Sequence, residues 1–378
     1  MGSSAEIVRP LAATVDLGRI RHNVAYLDGL TPPGCRFMAV VKANAYGHGD
    51  VQVAAAAMRA GAHGLGVALV EEGARLRKAG FDCPVYLLFE PPGAGARPAL
   101  ENDLVCSVYS EPFARSLSQA ALALGTTAAV HLKIDSGMHR VGVPAAEAGR
   151  FASMLAGLPG IEVEGAYTHF AVATEPADPF TGRQIDAFDA AAAEVERVVG
   201  HPVIKHAANS AGVMAFPRSH YDMVRVGIAM LGLSPSEELS GDAELQPALT
   251  LAGEVAFVKK VNAGEGLSYG LTYAPSRDTY VATLPVGYAD GLSRLLSGKA
   301  EVLIAGRRKP LVGTICMDVC LADLGEEPVE PGTRFTLIGE EGDDRISAED
   351  VAREMGTINY EVTCMISSRV PRLFIGEK

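Results

Sequence analysis

Lys42 closes an apolar run and opens a glycine-containing loop, in Met38-Ala39-Val40-Val41-Lys42-Ala43-Asn44-Ala45-Tyr46-Gly47-His48-Gly49. An amine at the carboxyl end of a buried strand can lose its proton by desolvation and attack a carbonyl carbon. Other residues able to ionise, donate or hold an anion stand at comparable places. Lys133 and Asp135 end one apolar run, with Gly137-Met138-His139-Arg140 behind them. His169 ends another, Asn209 and Ser210 follow a third, and Arg225, Gly227 and Ile228 close a fourth. Taken singly, each has an ordinary reading: a solvated strand end for Lys42, a satisfied structural histidine for His169, an ion-pair partner for Arg225. Their shared position at strand ends is what points to one site.

The elements that must position them alternate. Strand-like runs cover Arg36–Lys42, Leu65–Val70, Pro84–Phe89, Leu104–Ser110, Ala129–Asp135, Val163–Phe170, Val203–Ala207 and Met223–Val226. Amphipathic or alanine-rich stretches lie between them, at Val51–Ala60, Glu71–Ala79, Pro112–Leu124, Ala145–Leu158 and Phe180–Val199. Runs apolar throughout and each followed by a helix indicate a parallel sheet buried on both faces. Eight such units predict an α/β fold, a closed (β/α)8 barrel of the TIM type, whose reactive residues stand at the carboxyl ends of the strands. A leading helix is predicted over Leu17–Leu30, capped by Asp16, with Leu17, Ile20, Val24 and Leu27 as its apolar stripe. The pattern changes near Ser234-Pro235-Ser236. From about Leu249 it alternates with period two, at Tyr280–Leu284, Ala300–Ile304, Leu311–Leu321, Arg334–Ile338 and Glu361–Phe374, with one helix opened by Ser347 and Asp350 in capping-box spacing. The expected division is a barrel with its leading helix over 1–245 and a mostly β C-terminal domain over 246–378.

Composition narrows the function classes. A net charge of −12 disfavours nucleic acid or an anionic membrane as the main partner. No apolar run approaches the roughly 20 residues needed to span a bilayer. The start, Met1-Gly2-Ser3-Ser4-Ala5-Glu6, reads as neither a secretory signal nor a good myristoylation site. The six cysteines form no CxxC pair, lack zinc spacing and read as reduced thiols of a cytoplasmic protein, with no metal site expected.

Strands seven and eight of such barrels often hold a phosphate through backbone amides. Asn209-Ser210-Ala211-Gly212 and Val226-Gly227-Ile228 suit that use. An amine and a phosphate cradle across one barrel mouth point to pyridoxal 5'-phosphate, bonded to Lys42. Arg225 is then the candidate partner of the pyridine nitrogen. A permanently protonated guanidinium leaves that nitrogen unprotonated and weakens the ring as an electron sink. Such a site favours fast removal and return of a proton over transamination.

With these residues in place the chain resembles the alanine racemase family over nearly its whole length. The likeness rests on Ala39–Gly49, His131–Gly142, Tyr167–Phe170, Ala208–Ala211 and Val224–Ile228, and in the second part on Leu267–Gly270, Val286–Gly291, Cys316-Met317-Asp318 and Ile358–Glu361. It implies a pyridoxal-phosphate enzyme that interconverts L- and D-alanine by two-base proton transfer, working as a head-to-tail homodimer with shared active sites. Lys42 would hold the cofactor and act as base on one face; Tyr269 of the other subunit would act on the opposite face, in contact with His169, itself linked to Arg225. Arg140 would contact cofactor and substrate carboxylate, and Lys133 corresponds to a lysine often carbamylated. Tyr46, Asn209, Ser210, Gly227, Ile228 and Tyr360 would surround the phosphate. Met317 would bind substrate through its backbone, and Tyr288 and Tyr360 would narrow the entrance. Two positions depart from many relatives: Thr314 replaces an arginine, and Thr174-Glu175 an aspartate. Alanine fits best; serine or another small amino acid is the alternative substrate. A decarboxylase of similar architecture and a non-catalytic pyridoxal-phosphate carrier are the competing readings.

Overall fold

The structure, a computed structural model, describes residues 8–241 and 243–377, so the N-terminal hexapeptide lies outside the described residues. The chain forms two compact units. One holds the described residues of Arg19–Ala45 and Asp50–Gln246, the other those of Met1–Gly18, Tyr46–Gly49 and Pro247–Lys378.

After a first strand β1 (Leu11–Asp16), the larger unit contributes β2 (Arg36–Val40), β3 (Gly64–Val67), β4 (Val85–Leu87), β5 (Leu104–Val108), β6 (Ala128–Asp135), the short β7 (Val143–Pro144), β8 (Ile161–Tyr167), β9 (Ile204–His206) and β10 (Met223–Val226). Eight of these form one sheet in the order β10-β2-β3-β4-β5-β6-β8-β9, every pair of neighbours parallel, with β7 paired only to β6. Single hydrogen bonds from Asp222 N to Lys205 O (3.1 Å) and from Arg225 N to Ala208 O (2.9 Å) join the two ends, so the barrel is nearly closed. Strands such as β3 and β5 are covered on both faces, which is why they read as continuous apolar runs. The helices Asp50–Arg59, Val70–Lys78, Glu111–Leu124 and Phe180–Val199 fall within a residue or so of the expected segments. A further helix, Ala96–Glu101, is too short to show a period and was not anticipated from the sequence. The leading helix α1 spans Leu17–Gly29; Asp16 Oδ1 accepts from Gly18 N at 2.8 Å, and Leu17, Ile20, Val24 and Leu27 are all buried.

The second unit is a mostly β sheet built from β11 (Leu249–Glu254), β12 (Phe257–Val261), β13 (Thr279–Leu284), β14 (Glu301–Ile304), β15 (Arg307–Val312), β16 (Cys320–Gly325), β17 (Arg334–Glu341), β18 (Asp344–Ile346) and β19 (Arg372–Ile375). The order is β12-β13-β16-β15-β14-β17-β11-β1-β19, with β18 on β17. β1 joins this sheet, antiparallel to β11 and parallel to β19. Its sequence, Leu-Ala-Ala-Thr-Val-Asp, buries alternate residues but is too alanine-rich to stand out as a strand.

Two sequence expectations need correction here. Leu311–Leu321 is not one strand. The left-handed Gly313 breaks the run, and Thr314–Val319 form a loop between β15 and β16. Glu361–Phe374 is a helix, Asn359–Met365, followed by β19; Val362 and Ile366 bury at helical spacing, which short alternation in the sequence hides. Ser347 caps the helix Ala348–Met355 with Asp350 closing the capping box, as the spacing predicted. All six cysteines are free. Among the described residues no helix is long and apolar enough to cross a membrane.

Candidate active site

Lys42 stands one residue past the end of β2, after Val41, and enters a turn of the wrong hand. Ala43, Asn44, Ala45 and Tyr46 all have φ between 50° and 56°. A left-handed turn brings each Cβ close to the following carbonyl, at about 1–2 kcal/mol per non-glycine residue, with asparagine the most tolerant. The turn is closed by Ala45 N donating to Val41 O at 2.8 Å. Across the barrel end, Phe89 lies between two cations: its ring centroid is 5.9 Å from Lys42 Nζ and 5.3 Å from Arg140 Cζ. The loop carrying Arg140 is ordered by Asp135, which accepts from Gly137 N (2.9 Å) and His139 N (3.1 Å). Partial burial works to raise the Asp135 carboxyl, but those backbone donors outweigh it and hold the group below the usual aspartate range.

Arg225 is the centre of the buried network. Its Nη2 donates to Thr168 O (2.8 Å) and Ala207 O (2.9 Å) and lies 3.2 Å from His169 Nδ1; its Nη1 lies 3.0 Å from His206 Nδ1. A guanidinium only donates, so both imidazoles must accept through Nδ1 and carry their proton on Nε2. His206 Nε2 then donates to His131 Nδ1 at 2.7 Å, and the His131 proton sits on Nε2, 3.7 Å from the Glu164 carboxylate. The whole row thus has one direction, set by Arg225. Burial, followed by the nearby guanidinium of Arg225, pushes His169 well below the ordinary imidazole value. Burial likewise pushes His206 well below that value and lowers His131. Burial draws Arg225 down to about 10, which still leaves it charged at neutral pH.

Tyr167 packs beneath this row. It stacks on His206 (4.6 Å between centroids, 4° between planes), with Lys133 Nζ 4.3 Å and Arg225 Cζ 5.2 Å from its ring centre. Its hydroxyl donates to Leu88 O at 2.9 Å and receives the Ser107 hydroxyl at 2.6 Å. Burial lowers the Lys133 amine far below the lysine range, and the charges of Arg225 and Arg140 add to the effect. Gly165 faces His131, and a Cβ there would stand 2.5 Å from the ring, so only glycine leaves room for the histidine row.

The small residues form a second group. Asn209 caps the helix Ser210–Ala215, its Oδ1 accepting from Gly212 N at 2.9 Å. Ser210 Oγ accepts from Gly227 N (3.2 Å) and Ala229 N (3.3 Å), tying this helix start to the turn after β10.

The remaining expected residues belong to the β unit. Tyr46 and Tyr360 meet edge to face at 6.0 Å, and burial pushes the Tyr360 phenol up to about 12. Tyr269 lies 74% exposed in a tight loop between the left-handed residues Ser268, Gly270 and Leu271. Thr314 Oγ1 donates to Tyr269 O at 2.8 Å, and Ser268 Oγ donates to Thr314 O at 2.6 Å. Tyr288 N and Ala289 N donate to Cys316 O and Met317 O, each at 3.0 Å. These two loops touch so closely that a Cβ on Gly287 would lie 2.3 Å from Met317 O. Tyr288 is 42% and Met317 52% exposed.

Sequence reading singled out Lys42, Lys133, Arg140, His169 and Arg225 but missed His131, His206 and Tyr167. A signal existed. His131, Lys133 and Asp135 share the parity of one strand, so the first belonged with the other two. The link from His206 to Arg225 crosses between strands and has no sequence spacing to betray it.

Comparison with known proteins places this geometry. Residues 15–235 match the alanine racemase N-terminal domain and 248–374 the alanine racemase C-terminal domain. The chain is 46% identical over 372 residues to the alanine racemase of Symbiobacterium thermophilum, covering 98% of each, and 42% identical over 368 residues to that of Desulfovibrio desulfuricans, covering 97% of this chain and 98% of the relative. Among solved structures, alanine racemase from D-cycloserine-producing Streptomyces lavendulae superposes with a TM-score of 0.94 at 39% identity over 97% of both chains. Alanine racemase from Bacillus anthracis with bound L-Ala-P gives 0.93 at 40% identity, over 98% of this chain and 96% of that one. With both domain models matched and such identity across nearly the full length, this chain belongs to the alanine racemase family.

Proposed function

We propose that the protein interconverts L- and D-alanine with pyridoxal 5'-phosphate bound to Lys42, as a cytoplasmic homodimer in which each subunit completes the other's site. In this reading residues 1–245 hold the cofactor, and residues 246–378 serve the partner. The observation that carries it is the buried Arg225 guanidinium, which shares one barrel end with Lys42 and donates to neutral imidazoles. The donor set fits the cofactor: an amine at a strand end, a cluster of cations for an anionic molecule, and the small-residue turns at Ser210 and Gly227 for its phosphate. Asn209 and Ile228 flank those turns, and the family resemblance adds Tyr46 and Tyr360 to the phosphate-binding residues. When bound, the cofactor supplies a carbonyl carbon for the amine and a ring that accepts electrons from the substrate's α-carbon.

The chain's own groups then divide the work. Lys42 Nζ takes or returns the α-proton on one face, and the Tyr269 hydroxyl of a second copy does so on the other. Lysine and tyrosine both have ordinary values near 10, so near neutral pH the amine needs burial or neighbouring positive charge and the phenol needs neighbouring positive charge. Arg225 supplies that charge. Arg225 would hold the ring nitrogen as a donor that does not give up its proton, a partner that suits immediate return of the α-proton. Arg140 orients the substrate carboxylate, with the Met317 backbone and Tyr288 restricting side-chain size. Lys133, whose amine burial pushes well below the lysine range, suits reaction with carbon dioxide; the resulting anion would fix Arg140. The exposed Tyr269, Tyr288 and Met317 make up the surface a second copy would cover.

A panel of small L-amino acids, assayed for uptake of solvent deuterium at the α-carbon, tests this reading. Exchange into alanine with D-alanine appearing is the expected result. Cofactor binding without exchange would identify a carrier, carbon dioxide release from basic amino acids a decarboxylase, and preference for serine a different substrate.

A further inference from the structure

We propose that Glu72 is the positioning residue for Lys42: its buried carboxylate holds the Ala43 amide and so fixes the left-handed turn from which the lysine projects. The inference rests on the reading of Lys42 given above. Glu72 lies in the first turn of the helix Val70–Lys78, directly after β3, the neighbour of β2. It is only 8% exposed and carries three hydrogen bonds. Oε2 accepts from Ala68 N (2.8 Å) and Leu69 N (3.2 Å), the ordinary work of capping its own helix. Oε1 is turned the other way and accepts from Ala43 N at 2.7 Å. Ala43 is the residue after Lys42 and the first of the four left-handed residues.

The same helix also reaches the next residue of the turn, Asn44. Asn44 Oδ1 accepts from Asp50 N at 3.1 Å, and Asp50 Oδ2 pairs with Arg75 Nε at 2.6 Å, one helical turn beyond Glu72. A disfavoured backbone persists only where its surroundings over-determine it. Here those surroundings are one helix, holding the turn directly through Glu72 and indirectly through Arg75 and Asp50. A helix cap alone would need only Oε2. The second oxygen does something the helix does not require.

The informative variant is Glu72→Gln, which keeps one acceptor oxygen for the cap; Glu72→Ala strips both functions. Full-length protein freed of cofactor is mixed with pyridoxal 5'-phosphate, and its covalent capture on Lys42 is followed by borohydride trapping and mass spectrometry. Glu72→Gln should slow capture about tenfold, the loss expected of one charge-assisted hydrogen bond. It should lower kcat for alanine similarly with KM little changed, and it should speed hydrogen exchange at the Ala43 amide about tenfold. Adding Ala43→Gly, which removes the steric objection to positive φ, should return capture to within about twofold of the parent. A lower melting temperature with parental capture would reduce Glu72 to a helix cap and overturn the inference, as would failure of Ala43→Gly to rescue. If the parent itself captures no cofactor at position 42, the functional reading falls, while the exchange rate at Ala43 still decides whether Glu72 holds the turn.

Discussion

The two units prepare their chemical groups in opposite ways. At the barrel end, Lys133, Arg225, His131 and His206 are almost wholly buried, and each is held by side chains from other strands. Their protonation is set by desolvation and by one guanidinium. In the β unit, Tyr269, Tyr288 and Met317 are exposed, and the positioning is done by backbone: left-handed residues around Tyr269, and loops stitched by Thr314 and Gly287. The barrel end is therefore electrostatically finished within one chain. The β-unit face is geometrically finished but has its reactive side chains in water. This contrast is the physical case for a second copy bringing the two together.

Breaking each side separately sharpens the contrast. Lys42→Ala should abolish both covalent cofactor capture and turnover, by about four orders of magnitude for the latter. Tyr269→Phe should cut L-to-D conversion by about 10²–10⁴-fold and leave cofactor capture untouched, read by trapping and by circular dichroism of alanine. Equal loss of cofactor in both variants would erase the proposed division between units.

The buried imidazoles give a barrel-specific pH signature. Unfolded, each takes up a proton near its ordinary value of 6.5; folded, burial keeps it neutral to lower pH. Between those limits the unfolded chain binds more protons, so stability should fall as pH drops below 6.5. Each such group contributes up to about 1.4 kcal/mol per pH unit. His131→Gln should flatten the slope by roughly that amount in urea unfolding at a series of pH values. An unchanged slope would mean the histidine row is not kept neutral by the fold. Thr314→Val is the mildest test, on the other side. Losing its hydrogen bond to Tyr269 O should cost about 1 kcal/mol and lower kcat several-fold, with the acid slope unaltered.

Much of this architecture was legible in the sequence because burial on both faces leaves continuous apolar runs, and helices between them keep a period of 3.6. Where burial was one-sided or local, reading failed. β1 was missed because its paired alanines carry a weak strand signal. Leu311–Leu321 was read through a loop because its residues alternate by chance on either side of Gly313. Glu361–Phe374 was taken as strand because the helix Asn359–Met365 at its start is only seven residues long, too little room for a helical period to declare itself.

What the sequence determined by itself is a set of reactive types at strand ends, Lys42, Lys133, His169 and Arg225, with Arg140 in the loop behind Lys133; position 269 was singled out only through the family resemblance. The strand-end residues follow from local pattern, since a strand's end is written where its apolar run stops. Only the tertiary structure decided the direction of the Arg225–His206–His131 row, the lowered basicity of Lys133, the bond from Thr314 to the Tyr269 carbonyl, and the grip of Glu72 on the turn after Lys42. Each depends on partners brought within about 3 Å of one another by folding and on water excluded around them. Neither distance nor desolvation has a spacing along the chain.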